Sequence, residues 1–264
     1  MNDEVKEELY DSQEEYDAFY ENLRKGALPT TSQLNSYELE EYFLKILGKE
    51  KEGDIIHMPL SSGISGTCDN ARASADKINK TLNGRKIHIA DSLGATSAMA
   101  QLMLRLIEFR NEGLSASEAL VKFEYLRDCQ NVFILADDLF HLKRGGRISG
   151  FKAAVGSLLK IKPIMVFNDK GKLSIDTAVK GTKKAIQYLL DKIEQLNGGT
   201  DFCQRPLMLT HSCAYELRDE FEAAFKKRFQ NAVIEKGIVG PAIGTHLGSG
   251  AIGFAFTGEK RLKV

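Results

Sequence analysis

Apolar and polar positions alternate with two different periods along this chain, and the period changes near its middle. Up to residue 128 the pattern is mainly helical. Ser12-Gln13-Glu14-Glu15 is a capping box, predicting a helix through Tyr16, Phe19 and Leu23 that stops at Gly26. Asn35 and Glu38 form a second box, ahead of Leu39, Tyr42, Phe43 and Ile46. Asp54–Leu60 and Lys86–Ala90 read as short buried strands. Helices are expected from near Asp69, across Met99, Leu102, Leu106 and Phe109, and over Ser117–Arg127. Strand–helix alternation of this kind predicts a parallel sheet covered on both faces. Two strands make a poor sheet, so either further strands are hidden in this half or it lacks an N-terminal piece.

Beyond residue 128 the strands dominate. Val132–Ala136, Pro163–Phe167, Leu173–Thr177, Leu207–His211, Val233–Gly237 and Ala251–Phe256 are six candidates. Asp169-Lys170-Gly171-Lys172 reads as a hairpin turn, which makes the sheet at least partly antiparallel. Lys183–Leu196 and Tyr215–Phe229 are predicted helices for one face. The expected fold class is therefore α/β with two domains. Residues 1–128 form a parallel α/β/α domain, and residues 129–264 form a mixed-sheet two-layer domain.

Composition changes this picture little. The chain has 264 residues, 43% of them apolar, enough for a sizeable core. Its formal net charge of +0 argues against a nucleic-acid partner. The four cysteines are widely spaced, with no Cys-x-x-Cys pair, and no two histidines have i, i+4 spacing, so neither a metal nor a cofactor is expected. The acidic start Met1–Glu8 lacks the basic and apolar regions of a signal peptide, and no apolar run reaches the length of a membrane span. A cytoplasmic protein with reduced thiols is the expectation. Charge is unevenly placed, however. Residues 143–184 carry eleven Lys and Arg against Asp169 and Asp176, which suggests a docking face for something acidic.

The candidate chemistry lies in hydroxyl-rich loops: Pro29-Thr30-Thr31-Ser32-Gln33, Leu60-Ser61-Ser62-Gly63-Ile64-Ser65-Gly66-Thr67 and Gly240-Pro241-Ala242-Ile243-Gly244-Thr245-His246. A small-residue loop between a strand and a helix offers free backbone N–H groups to a carboxylate or phosphate, though a plain N-cap and tight turn fits it equally well. Gly63-Ile64-Ser65-Gly66 is one residue short of the hydrolase nucleophile elbow. Gly248-Ser249-Gly250-Ala251-Ile252-Gly253 matches a dinucleotide fingerprint but precedes a strand, so that reading is rejected. His246 stands among glycines, in what reads as a loop, as a donor to a carboxylate. In Lys143-Arg144-Gly145-Gly146-Arg147 the double glycine brings two anion-gripping arginines together.

Taken in order, these segments resemble the DegV family, the fatty-acid-binding subunits of bacterial fatty acid kinases. Asp137-Asp138-Leu139, Leu142–Ile148 and Gly156–Ile164 add to the resemblance, which runs from about residue 16 to residue 256. It implies a non-enzymatic protein that takes a long-chain fatty acid from a membrane surface, holds the chain in an interdomain tunnel and presents the carboxylate to a separate ATP-dependent kinase. Thr31, Ser62 and His246 would bind the carboxylate. Ser61, Gly63 and Ser65 would shape the loop, and Arg147 and Lys180 would serve the head group or the kinase. Family members begin with a strand and an Asp-Ser loop that this chain starts after. Two other readings stand beside this one: a serine-dependent acyl hydrolase or transferase using Ser62 or Ser65 with His246, and an inactive truncated family member.

Overall fold

A computed structural model describes residues 8, 10–137, 139–148 and 161–261. Helix α1 (Gln13–Arg24) opens on the Ser12–Glu15 capping box and α2 (Ser36–Lys49) on the Asn35–Glu38 box. Strand β1 (Ile55–His57) leads through the hydroxyl loop into α3 (Thr67–Asn79), and β2 (Ile87–Ile89) leads into α4 (Ser97–Asn111). A third capping box, Ser115 with Glu118, starts α5 (Ala116–Asp128). β1 and β2 pair in parallel, Ile55 opposite Ile87. One face of this pair packs with Leu39, Phe43, Ala71 and Ala75 of α2 and α3, the other with Leu102, Leu106, Phe109 and Phe123 of α4 and α5.

The remaining strands are β3 (Gln130–Leu135), β4 (Ile161–Phe167), β5 (Leu173–Lys180), β6 (Leu207–His211), β7 (Ile234–Ile238) and β8 (Ile252–Thr257). They form one sheet in the order β5-β4-β3-β8-β6-β7, antiparallel except where β6 meets β7. The β4–β5 turn is held by Asn168, whose Oδ1 accepts from the N–H groups of Lys170 and Lys172, while Gly171 supplies the φ of +64°. Among the described residues four helices complete this part: α6 (Phe140–Arg144), α7 (Thr182–Leu196), α8 (Tyr215–Arg228) and α9 (Pro241–Leu247).

Strict alternation along β8 defines the two faces of the large sheet. Ile252, Phe254 and Phe256 point into a core with Leu189 and Ile193 of α7 and Phe221 and Phe225 of α8. Ala251 and Ala255 face the other way, into a cluster with Val132, Met165, Phe167 and Leu247. Small residues on that second face leave room above it. Helix α4 is tied over this side by Gln130, whose Nε2 donates to the Ala98 carbonyl at 2.8 Å, and by Gln101, which reaches the Pro206 carbonyl at 3.4 Å.

One short helix departs from the sequence reading. Gly240–His246, expected as a loop, is mostly α9: Gly240 caps it in an extended conformation and Pro241 takes the first turn, where its missing N–H costs nothing. Its Gly244 lets α1 approach, since a Cβ there would stand 2.9 Å from Tyr20 Cζ and 3.0 Å from Phe19 Cε1. Tyr20 Oη donates to the Val239 carbonyl at 2.6 Å, and Tyr20 and Leu23 pack with Val239 and Leu247. The first helix of the chain thus rests on elements from its end.

Candidate functional site

A cavity of about 390 Å³ opens between the hydroxyl loops and the small-residue face of the large sheet. Its walls come from both halves of the sequence: residues 31–33, Leu60, Ile64 and Ala95 on one side, Val132, Phe167, Leu173, Val239 and Ile243 on the other. Most of this lining is aliphatic or aromatic. Apart from Thr210 on the sheet, the polar groups gather in two places. Thr31, Ser32 and Gln33 are exposed and form a rim, joined by Arg147 and His246. Ser65, Thr67, Thr96 and Ser97 mark the N-terminal ends of α3 and α4, whose first turns carry partial positive charge.

At the rim, Thr31 Oγ1 and His246 Nε2 are 2.7 Å apart. Burial lowers the His246 pKa, and the nearby Arg147 and Arg144 guanidinium groups lower it further, so the ring is neutral at pH 7. With its proton on Nε2 the imidazole donates to Thr31, whose own hydroxyl hydrogen is then free for a ligand oxygen. His246 Nδ1 faces the Gly145 backbone, where a Cβ would collide with it, and has no hydrogen-bond partner among the described residues. Arg144 Nη2 donates to the Pro29 carbonyl at 2.8 Å, fixing the rim loop against α6. Arg147 is held by the Gly145 carbonyl with its side chain in the cavity wall.

The serine loop divides its work. Ser61 is fully buried and donates to the Gly171 carbonyl at 2.6 Å, while its Oγ accepts from Gly63 N–H at 3.0 Å. Gly63 is required here, because a Cβ would lie 2.7 Å from the Lys170 carbonyl oxygen and closer still to Gly171. Ser65 Oγ accepts from Thr67 N–H at 3.2 Å and meets Thr67 Oγ1 at 3.0 Å, and both residues line the cavity.

Ser62 departs from the expectation that it would bond the carboxylate. Its N–H donates to Asp91 Oδ1 at 3.2 Å, its hydroxyl also bonds that carboxylate, and it lies outside the cavity lining. Burial opposes charge on Asp91. Hydrogen bonds from Ser62 and the Leu93 N–H, with the Arg72 guanidinium at 3.1 Å, nonetheless hold its carboxyl below the usual range. The physical reason for the departure is this anion, which the sequence pattern did not mark as a competitor for the serine.

Lys180 ends β5, exposed, seven residues beyond the cavity-lining Leu173. At the rise of an extended strand that is roughly 23 Å. Asp138, Lys152 and the segment 156–160 lie outside the described residues. Sequence reasoning named Thr67 only as part of its loop and missed Thr96 and Ser97, whose signal was their place at a strand-to-helix junction. It also missed Arg261. This buried cation donates to the carbonyls of Gln130, at 2.5 Å, and Leu93, at 2.7 Å, and ties the residue 91–97 wall to the sheet. Among the described residues no three His, Cys, Asp or Glu side chains are grouped to hold a metal ion, and no helix is long and apolar enough to cross a membrane.

The fold and this cleft define an α/β protein with an enclosed apolar site and a polar, basic mouth. The DegV family model, described as an uncharacterised protein family, matches residues 3–259, and the chain belongs to that family. Protein DegV of Bacillus subtilis is 32% identical over 255 residues, spanning 95% of this chain and 88% of its own length. A DegV domain-containing protein of Caldanaerobacter subterraneus is 33% identical over 240 residues, 90% of this chain and 82% of its own. Among solved structures, a DegV lipid binding protein from Thermotoga maritima superposes with a TM-score of 0.80 at 25% identity, covering 95% of this chain and 85% of that one. A fatty acid binding DegV family protein from Streptococcus agalactiae gives 0.80 at 27% identity, with 93% and 84% covered. DegV of Bacillus subtilis, described as a fatty acid binding protein, gives 0.74 at 28% identity, with 92% and 84% covered.

Proposed function

We propose that this protein binds a long-chain fatty acid, with the acyl chain in the 390 Å³ cavity and the carboxylate at the rim beside Thr31, His246 and Arg147. The observation that carries the reading is the pairing of a largely apolar cavity with a basic, hydroxyl-bearing rim at Thr31, Arg147 and His246. Each methylene moved from water into such an interior contributes about 0.8 kcal/mol, so the chain supplies most of the affinity and the rim sets its direction. Arg147 attracts the anion while the neutral His246 positions the Thr31 hydroxyl. Ser61, Gly63 and Ser65 shape the loop behind them, and Ser62 braces it through Asp91.

In this reading the protein collects its ligand at a membrane surface and offers the carboxylate to a separate ATP-dependent kinase, which forms the acyl phosphate. Lys180, exposed at the end of β5, belongs in this reading to the kinase-docking face rather than to the head group. The hydrolase alternative loses support from the geometry: His246 bonds Thr31, and Ser62 and Ser65 bond Asp91 and Thr67. Among the described residues no serine–histidine hydrogen bond supplies a nucleophile and base.

Native mass spectrometry of the protein purified from bacteria tests the binding function, with the bound species released and identified. One fatty acid per folded chain is expected. Folded protein that stays empty, even after incubation with fatty acid, would count decisively against the proposal. Arg147→Ala is expected to weaken uptake, and Lys180→Ala to leave it unchanged.

A further inference from the structure

The hydroxyl groups of the cavity wall are not equally engaged. Thr31 meets His246, Ser65 bonds Thr67, and Thr210 Oγ1 donates to the Gly253 carbonyl at 3.3 Å. Ser97 differs. It lines the cavity, is 1% exposed, and its Oγ has no hydrogen-bond partner among the described residues. A buried hydroxyl in that state gives up its bonds to water and receives none in exchange. Thr96, beside it, also lines the cavity. It stands at the N-cap of α4 yet makes no side-chain cap bond, and its φ of +46° is one that β-branched residues rarely adopt. At the start of α3 the equivalent hydroxyls satisfy each other and the Thr67 N–H. At the start of α4, a 15-residue helix, they do not, and the positive end of the helix faces the same space.

This turn lies far from the rim. Ala98, the residue after Ser97, offers its carbonyl to Gln130 Nε2 at 2.8 Å. Gln130 is the first residue of β3 and pairs with Thr257, the last of β8. Leu93 is held at the same end, because Arg261 donates to both the Leu93 and the Gln130 carbonyls. The rim hangs on the opposite ends of these strands. Helix α6 and then Arg147 follow the last residue of β3, and α9 with His246 precedes the first residue of β8. The length of β3 is roughly 17 Å. An acid with its carboxylate at the rim therefore brings a distal carbon to Ser97 and Thr96.

The group that suits this seat is an uncharged oxygen. Of the described residues lining the cavity, Arg147 and His246 are the two that can carry charge, and both belong to the rim. A second carboxylate at α4 would be buried with no cation of the lining beside it. An alcohol can both donate to and accept from Ser97 Oγ.

We infer that the first turn of α4 is a second polar subsite of the cavity, where Ser97 and Thr96 take a hydroxyl group on the distal half of the acyl chain, so that the preferred ligand is a hydroxylated fatty acid. The inference rests on the fatty-acid reading above and adds to it the class of acid.

The test is the affinity of palmitic acid and its positional hydroxy isomers, from α-hydroxy to ω-hydroxy, for the wild-type protein and Ser97→Ala. In the wild type an isomer hydroxylated in its distal half is expected to bind more tightly than palmitic acid. Ser97→Ala is expected to weaken that isomer about tenfold and to leave palmitic acid unchanged. The ligand-free variant should melt no lower than the wild type, because the hydroxyl removed has no partner to lose. Palmitic acid binding more tightly than every isomer overturns the inference, as does a preference for a hydroxyl next to the carboxylate. So does a Ser97→Ala variant that binds the preferred isomer as well as before, that loses palmitic acid equally, or that melts well below the wild type. If the wild-type protein binds neither palmitic acid nor any isomer, the fatty-acid reading itself falls, before the variant is compared.

Discussion

Thr31 Oγ1 and His246 Nε2 stand 2.7 Å apart across the cavity mouth, although 215 residues separate them in the chain. Their contact closes one loop of the first half onto α9 of the second. It also sets the direction of the Thr31 hydroxyl. Thr31→Val and His246→Ala are each expected to weaken fatty-acid binding about tenfold, the value of one hydrogen bond to a charged group. Because the two act as one donor system, the double variant should lose little more than the worse single one. Displacement of a fluorescent fatty acid measures all three, and fully additive losses would show that the residues act separately.

Gly63 and Gly48 should answer to alanine with opposite signs. A Cβ on Gly63 runs into the Lys170 and Gly171 backbone, which cannot retreat without breaking the Ser61–Gly171 bond. Gly63→Ala is expected to cost about 2–3 kcal/mol, several degrees in Tm. Gly48 lies within α2 with nothing inside 4 Å and ordinary φ, so Gly48→Ala should gain about 0.5–1 kcal/mol of helix propensity. Thermal denaturation monitored by circular dichroism reads both.

His211 makes stability pH-dependent on the acid side. Burial, and then the Arg218 guanidinium that donates to its Nε2 at 3.4 Å, push its pKa down to about 4. Below pH ~6.5 the unfolded chain takes up a proton at this residue that the folded protein refuses until pH falls to about 4. Stability should therefore be independent of this group at neutral pH and fall as pH drops through that window, by about 3 kcal/mol at most. Urea titrations across pH 7 to 4 should show the slope, and His211→Gln, which keeps an acceptor for Arg218, should flatten it. A parallel slope in the variant would assign the effect elsewhere.

The four thiols should separate cleanly. Cys203 is exposed, whereas Cys68, Cys129 and Cys213 are buried. Burial pushes the Cys68 thiol up to about 12. Burial, followed by the bond to Asp17, pushes Cys213 up to about 11. Since the thiolate is the reactive form, native protein should label rapidly at Cys203 alone and at the other three only on denaturation. Mass spectrometry after brief alkylation counts the modified residues, and rapid labelling of a second cysteine would contradict the burial described.

Periodicity made most of the framework legible. The six strands of the large sheet lie within a few residues of their predicted spans, because each buries one face and so keeps period two, or both faces and so stays apolar. Helices with capping boxes were equally plain. Helix α9 was hidden because its composition, Gly-Pro at the start and Gly244 inside, is that of a turn. It persists because α1 packs on it, a long-range fact that local propensity cannot carry. At the site, Thr31, His246, Ser65 and Arg147 could be picked out as hydroxyl, imidazole and guanidinium groups in glycine-rich surroundings. The diversion of Ser62 to Asp91 could not, since nothing in the serine loop reveals a carboxylate 29 residues away.

The seating of α1 has a consequence for how the molecule is made. Tyr20 finds the Val239 carbonyl 219 residues further on, and Arg24 Nη2 finds the Cys213 carbonyl at 3.0 Å. A chain emerging from the ribosome presents α1 well before β7 and α9, and offers it no seat until they have been synthesised. The amphipathic face of α1 must wait, uncovered, through nearly all of translation, and its docking is a closing step of assembly rather than an opening one. The later segment thereby acts as a checkpoint on α1: a product cut short before residue 239 would keep α1 but lose the surface that holds it.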